Sequence, residues 1–165
     1  MLKKEPFIPD TVEFPFGRHL TAVTKLYVGA LRKKFEHLDI ERHYSVLILI
    51  EHTKGNCTQQ YIADFLQKDK TSMVGIIDSL VKKGYIKRVT NPLDRREYFI
   101  RLTDKALKTL PEIHQGIHEL NTRATKGLSK QEVVDFHKKL RLISANLVKE
   151  PAYKIVASFE KVKQE

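Results

Sequence analysis

The chain of 165 residues carries a single cysteine, Cys57. One thiol cannot build an internal disulfide framework, and so little cysteine fits a reducing compartment. Long hydrophobic runs are missing too. Ile48-Leu49-Ile50 is followed at once by Glu51, far short of the roughly 20 apolar residues of a membrane span. The start, Met1-Leu2-Lys3-Lys4-Glu5-Pro6, has no apolar stretch behind its charges, so it does not read as a signal peptide. A cytoplasmic protein without membrane contact is expected. There is no glycine-rich phosphate loop, and no serine, histidine and carboxylate stand in a catalytic motif. The chain is therefore not read as an enzyme, and no cofactor is implied. Acidic residues are in deficit, 20 Asp and Glu against 30 Lys and Arg. A formal charge of +10 favours polyanionic partners.

What is present is ordinary for a globular chain, 41% hydrophobic and 30% charged, which at this length suits one domain with a sizeable core. The most informative stretch is Thr58 to Thr103. Thr58 is a good N-cap, followed by Gln59, Gln60 and an apolar face expected at Tyr61, Ile62, Phe65 and Leu66. After a polar turn, Asp69 can cap a second helix whose inner face is Met73, Ile76, Ile77 and Leu80, with Gly84 where a helix ends left-handed. Lys70, Thr71, Ser72, Val74 and Gly75 must then point outward near its N-terminus, which suits a helix laid into a major groove. Two alternating runs follow, Tyr85 to Val89 and Glu97 to Thr103, joined by a turn holding Pro92, Asp94, Arg95 and Arg96. An arginine pair on a hairpin tip suits phosphate or a narrow minor groove, with Asp94 able to hold one guanidinium; the alternative is a solvated charged loop. Between Thr53 and Thr103 ten basic residues face five acidic ones, half of the whole surplus. Helix, turn, helix and ribbon make a winged helix-turn-helix.

The same residues resemble a known family. Asp94-Arg95-Arg96-Glu97-Tyr98-Phe99-Ile100-Arg101-Leu102-Thr103 is similar to the wing signature of the MarR (multiple antibiotic resistance regulator) family, Asp-x-Arg followed after five residues by Leu-Thr. Asp69 to Met73 and Leu80 to Ile86 resemble that family's recognition helix and its exit. The likeness is dense from about Asp39 to Thr103 and looser in the terminal regions. Gly75 departs from it, standing where many relatives carry arginine. The resemblance implies a dimeric, DNA-binding transcriptional regulator, often a repressor released by a small ligand or by oxidation, and a short third strand at Cys57.

The flanks complete an expected mainly α fold with a small β-wing. Pro6, Pro9 and Pro15 argue for an extended arm over residues 1–15. From Phe16 a helix is predicted with a stripe of Leu20, Val23, Leu26, Tyr27, Leu31 and Phe35. Asp39 can cap a core helix from about Arg42 to His52. After the wing, Leu107, Leu110, Ile113, Ile117 and Leu120 mark a long helix to about Lys126, with Pro111 expected to bend it. Ser129 with Glu132 is a capping box opening a last helix, striped by Val133, Phe136, Leu140, Ile143 and Leu147 and ended by Pro151.

This divides one integrated domain into an N-terminal arm and dimerisation helix (1–38), the winged helix-turn-helix (39–103) and C-terminal dimerisation helices (104–165). A core of 40–103 is too small to cover the terminal stripes. A homodimer with interlocked terminal helices covers them, and so does an intramolecular bundle; symmetry and the resemblance favour the dimer on a palindromic site. The resemblance further suggests a small aromatic or phenolic effector, for which Tyr27 and Tyr44 can form a ring pocket, unless both are core. His114 and His118 share a helix face, but no third ligand is visible and no metal site is assigned. Cys57, beside a helix cap, reads as a buried strand residue more than as an oxidant sensor. A winged-helix module that docks protein and never grips DNA is the alternative function.

Overall fold

The computed structural model describes residues 15–40, 42–54, 57–92 and 97–149; the expected arm before Pro15 and the tail from Pro151 lie outside them. The described residues form six helices and one two-stranded sheet: α1 (Gly17–Lys34), α2 (Tyr44–His52), α3 (Gln59–Phe65), α4 (Lys70–Lys82), β1 (Ile86–Thr90), β2 (Tyr98–Leu102), α5 (Asp104–Ala124) and α6 (Lys130–Leu147). The fold is thus mainly α with a small β-wing, as expected. It divides into two compact units, one up to Ala124 and one from Thr125.

In the first unit α2 is the most apolar element, burying Val46, Leu47, Leu49 and Ile50. The expected cap at Asp39 is corrected. His43 occupies the N-cap without a side-chain cap bond, and the Asp39 carboxylate is drawn to Lys83 at 3.2 Å. The caps of the next two helices are as expected. Thr58 Oγ1 accepts from the Tyr61 amide at 3.2 Å, and Asp69 Oδ1 accepts from the Ser72 amide at 2.8 Å. Helix α4 ends with Gly84 at φ +75°, its N–H donating to the Val81 carbonyl and that of Tyr85 to the Leu80 carbonyl. Those two bonds satisfy orphan carbonyls and turn the chain directly into β1.

Strands β1 and β2 pair antiparallel with Ile86 opposite Leu102, Lys87 opposite Arg101 and Arg88 opposite Ile100. Ile86 and Ile100 are the buried members of this ribbon. The implied third strand is a single bridge, Thr58 to Phe99, beside the Ile100 N–H donating to the Cys57 carbonyl at 2.7 Å. Cys57 itself is fully buried.

Helix α5 opens on Thr103, whose hydroxyl donates to the Gly84 carbonyl at 2.6 Å, and Lys105 Nζ donates to the Lys83 carbonyl at 2.8 Å. It runs through Pro111 as one element. Its buried face is Ala106, Leu110, Ile113 and Gly116, with Ile117 and Leu120 half-buried against the core; of the expected stripe only Leu107 is exposed. Helix α1 packs on α5, with Lys34 Nζ on Glu119 Oε2 at 2.6 Å. Phe35 is buried directly against Gly116, where an added Cβ would stand 2.5 Å from the ring. The outer end of the α1 stripe stays open: Val23 is 61% exposed and Leu26 69%.

In the second unit Ser129 and Glu132 form the expected capping box, the Ser129 amide donating to Glu132 Oε2 and the Glu132 amide to Ser129 Oγ. Helix α6 stops at Leu147, ahead of Pro151. It buries none of its residues, and Val134, Phe136, Leu142 and Leu147 are exposed.

Candidate nucleic-acid interface

Helix α4 separates two faces cleanly. Met73, Ile77 and Leu80 are fully buried, and Lys70, Thr71, Ser72, Val74 and Gly75 are all exposed. Residues four apart on a helix are neighbours, so Lys70 and Val74 form one row of the outer face and Thr71 and Gly75 the next. Asp69 takes up the Ser72 amide. The hydroxyls of Thr71 and Ser72 have no protein partner among the described residues. A cation, two free hydroxyls and an apolar patch stand together at the N-terminal half of an exposed helix, the set that meets base edges in a major groove.

Thr58 and Gln59, the other expected contacts, open α3 and are half-buried. The Thr58 hydroxyl accepts the cap bond, which leaves its proton to donate outward. Asp94, Arg95 and Arg96 lie outside the described residues. The hairpin beneath them is fixed to α4 by Arg88, whose Nη2 sits 2.6 Å from Asp78 Oδ1. That pair ties the first strand of the wing to the middle of α4.

The expected face of α3 is partly corrected. Ile62 and Ala63 are buried and Leu66 half-buried, but Tyr61 and Phe65 are exposed, their rings stacked with centroids 6.3 Å apart. The face that meets the core is turned by one residue, because small Ala63 allows close approach and large Tyr61 does not. One feature escaped the sequence reading altogether. Lys87 and Arg101 are directly opposite across the ribbon, both exposed, and neither has a carboxylate partner among the described residues. Like charges so placed repel, and only the strand register reveals the pairing.

The two tyrosines stand on α1 and α2. Tyr27 Oη donates to Asn121 Oδ1 at 2.6 Å, and the Tyr44 ring tilts against Phe35 with centroids 5.4 Å apart. Both are half-buried. Burial pushes both phenols above their ordinary value, and the neighbouring Tyr27 adds to the shift of Tyr44. His114 is engaged by Glu51, with Nε2 2.7 Å from Oε2. Among the described residues no three potential ligands gather to hold a metal. Nor, among them, is any helix long and apolar enough to cross a membrane.

Residues 40–97 match the sequence profile of the MarR family. Among solved structures, a mutant MarR from E.coli complexed with operator DNA is 27% identical, with 78% of this chain and 93% of that one covered at a TM-score of 0.70. A putative MarR family regulator from Listeria monocytogenes, complexed with a 26mer DNA, is 20% identical over 85% of this chain and 90% of that one, at 0.74. CouR from Rhodococcus jostii RHA1, bound to p-coumaroyl-CoA, is 23% identical over 82% and 96%, at 0.73. The latter two share the fold; the profile falls on the segment from α2 into the wing, where the motifs lie. From α2 into the wing, residues 40–97, the chain matches the MarR family, and its fold is that of winged helix-turn-helix transcriptional regulators of that family.

Proposed function

We propose that the protein binds duplex DNA with sequence preference as a homodimer, and acts as a ligand-responsive repressor on a palindromic operator. The outer face of α4 carries this reading: Lys70, Thr71, Ser72, Val74 and Gly75 are exposed together while Met73, Ile77 and Leu80 opposite are fully buried. That helix enters the major groove. Thr58 and Gln59 lie against the neighbouring backbone, and Asp94, Arg95 and Arg96 reach the flanking phosphates or minor groove. The E.coli MarR complexed with operator DNA supports the assignment. The open stripe of α1 and the exposed apolar residues of α6 support a dimer held by the terminal regions, 1–38 and 104–165, around the reading segment 39–103.

Regulation follows from spacing. Two reading helices must stand about 34 Å apart to enter successive grooves. A small aromatic or phenolic effector held near Tyr27 and Tyr44 alters that spacing, provided it prefers the non-binding arrangement.

Salt titration of binding to genomic fragments tests the reading. Each phosphate contact contributes about −0.9 to the log–log slope, and Arg95→Ala or Arg96→Ala should each flatten it by about one unit. A thermal-shift screen of aromatic carboxylates, followed by DNA competition, tests the effector. The docking alternative draws on the exposed Tyr61–Phe65 stack. Absence of duplex binding at low salt, or a flat salt response, decides for it.

A further inference from the structure

Three glycines of the first unit invite comparison. Gly84 has a positive φ that L side chains avoid. Gly116 lies under the Phe35 ring, with no room for a Cβ. Gly75 has neither reason. It sits inside α4 without a positive φ, and a Cβ placed there meets no atom within 4 Å. Glycine weakens a helix interior relative to alanine, so the fold loses by it. Gly29 inside α1 is open in the same way, so it is the place of Gly75 on the exposed row with Thr71, beside Val74, that turns the question to a partner approaching from outside.

Val74 is 37% exposed, an apolar side chain on a face of cation and hydroxyls. Four residues earlier in its row stands Lys70, and four later Asp78, whose carboxylate is neutralised by Arg88 at 2.6 Å. The row therefore presents a cation, a branched hydrocarbon and a silenced acid. In the major groove one base edge is apolar, the thymine 5-methyl group. Resting on the DNA-binding reading above, we propose that α4 reads thymine through its 5-methyl group, with Val74 as the contact and Gly75 as the position that lets the helix come close. Thr71 and Ser72 supply the flanking hydrogen bonds.

The full chain is used to select duplexes from a random pool, and the tightest is resynthesised with deoxyuridine for thymidine in each half-site. Removing one buried methyl from each of the two half-sites should weaken binding about fourteenfold, from about 0.8 kcal/mol per buried methylene-sized group, counted twice, and 1.4 kcal/mol per tenfold. Val74→Ala should bind the thymine and uracil duplexes alike. Gly75→Ala should melt higher than the parent chain and yet bind the selected duplex more weakly. Equal affinity of the parent chain for both duplexes overturns the proposal, as does thymine preference surviving in Val74→Ala. Undiminished affinity in Gly75→Ala removes the close approach. If no duplex is enriched at all, the DNA-binding reading falls and takes this one with it. Enrichment that is indifferent to the methyl leaves that reading intact and overturns only the thymine contact.

Discussion

The substitution of glycine by alanine should have opposite signs at two helical positions. At Gly116 the new Cβ would stand 2.5 Å from Phe35 Cε1, 2.7 Å from Cζ and 2.8 Å from Lys34 Cε. Lys34 can swing away, but Phe35 is 1% exposed and packed on Tyr44. Overpacking of this kind costs about 1–3 kcal/mol, and a ring with no retreat belongs in the upper half of that range. Alanine returns about 1 kcal/mol of helix propensity, so Gly116→Ala should lose about 1–2 kcal/mol net. For a chain of this size that lowers Tm by about 2–8 °C. At Gly75 nothing opposes the propensity gain, and Gly75→Ala should raise stability by about 0.5–1 kcal/mol. Urea unfolding followed by circular dichroism, at one protein concentration, measures both. Phe35→Leu in the Gly116→Ala background should recover part of the loss, giving a coupling between two contacting sites. Should Gly116→Ala stabilise as Gly75→Ala does, α1 and α5 do not meet at Phe35 and the reasoning fails.

Two further outcomes are expected. Cys57 is fully buried and its thiol is pushed up by burial, more than the Thr53 hydrogen bond lowers it; a thiol reagent at neutral pH should label it slowly in the native chain and fast in urea, and rapid native labelling would contradict the packing. Glu119 is held below the ordinary carboxylate value of 4.5, chiefly by the Lys34 hydrogen bond and then by Gln115. Its folded value is depressed, so its contribution is complete above that value and lost as pH falls through the lower folded one. Glu119→Gln should therefore soften the acid-side loss of stability, and an unchanged pH profile would count against the Lys34 pair.

The local signals were legible because their partners are near in sequence. Asp69 with Ser72, Ser129 with Glu132 and Gly84 after α4 need only three or four residues to act. Asp39 misled because the helix begins only at Tyr44, about one turn further on, with His43 at its N-cap. Apolar stripes misled at single positions: Ala63, Ala106 and Gly116 join the buried faces, where small size permits close packing, while Tyr61, Phe65 and Leu107 stay exposed. Counting large residues finds the inner faces of α4 and α5 and turns that of α3 by one residue. The outer face of α4 was readable because its inner face, Met73, Ile77 and Leu80, is unambiguous. The opposition of Lys87 and Arg101 was not, since strand register is a property of the pairing and not of either strand.

The ties between α5 and the end of α4 have a mechanical consequence. Lys105 and Thr103 grip the Lys83 and Gly84 carbonyls at one end of α5, and Asn121 receives Tyr27 near the other. A helix of 21 residues is a lever about 30 Å long, and a swing of about 5° moves its far end by about 3 Å. Arg88 pairs the wing with α4 at 2.6 Å and Thr103 bonds the start of α5 to Gly84, so the three elements are joined near one corner. A displacement of α5 at Asn121 is carried to the end of α4 through bonds made near both ends of one helix, without any element having to melt.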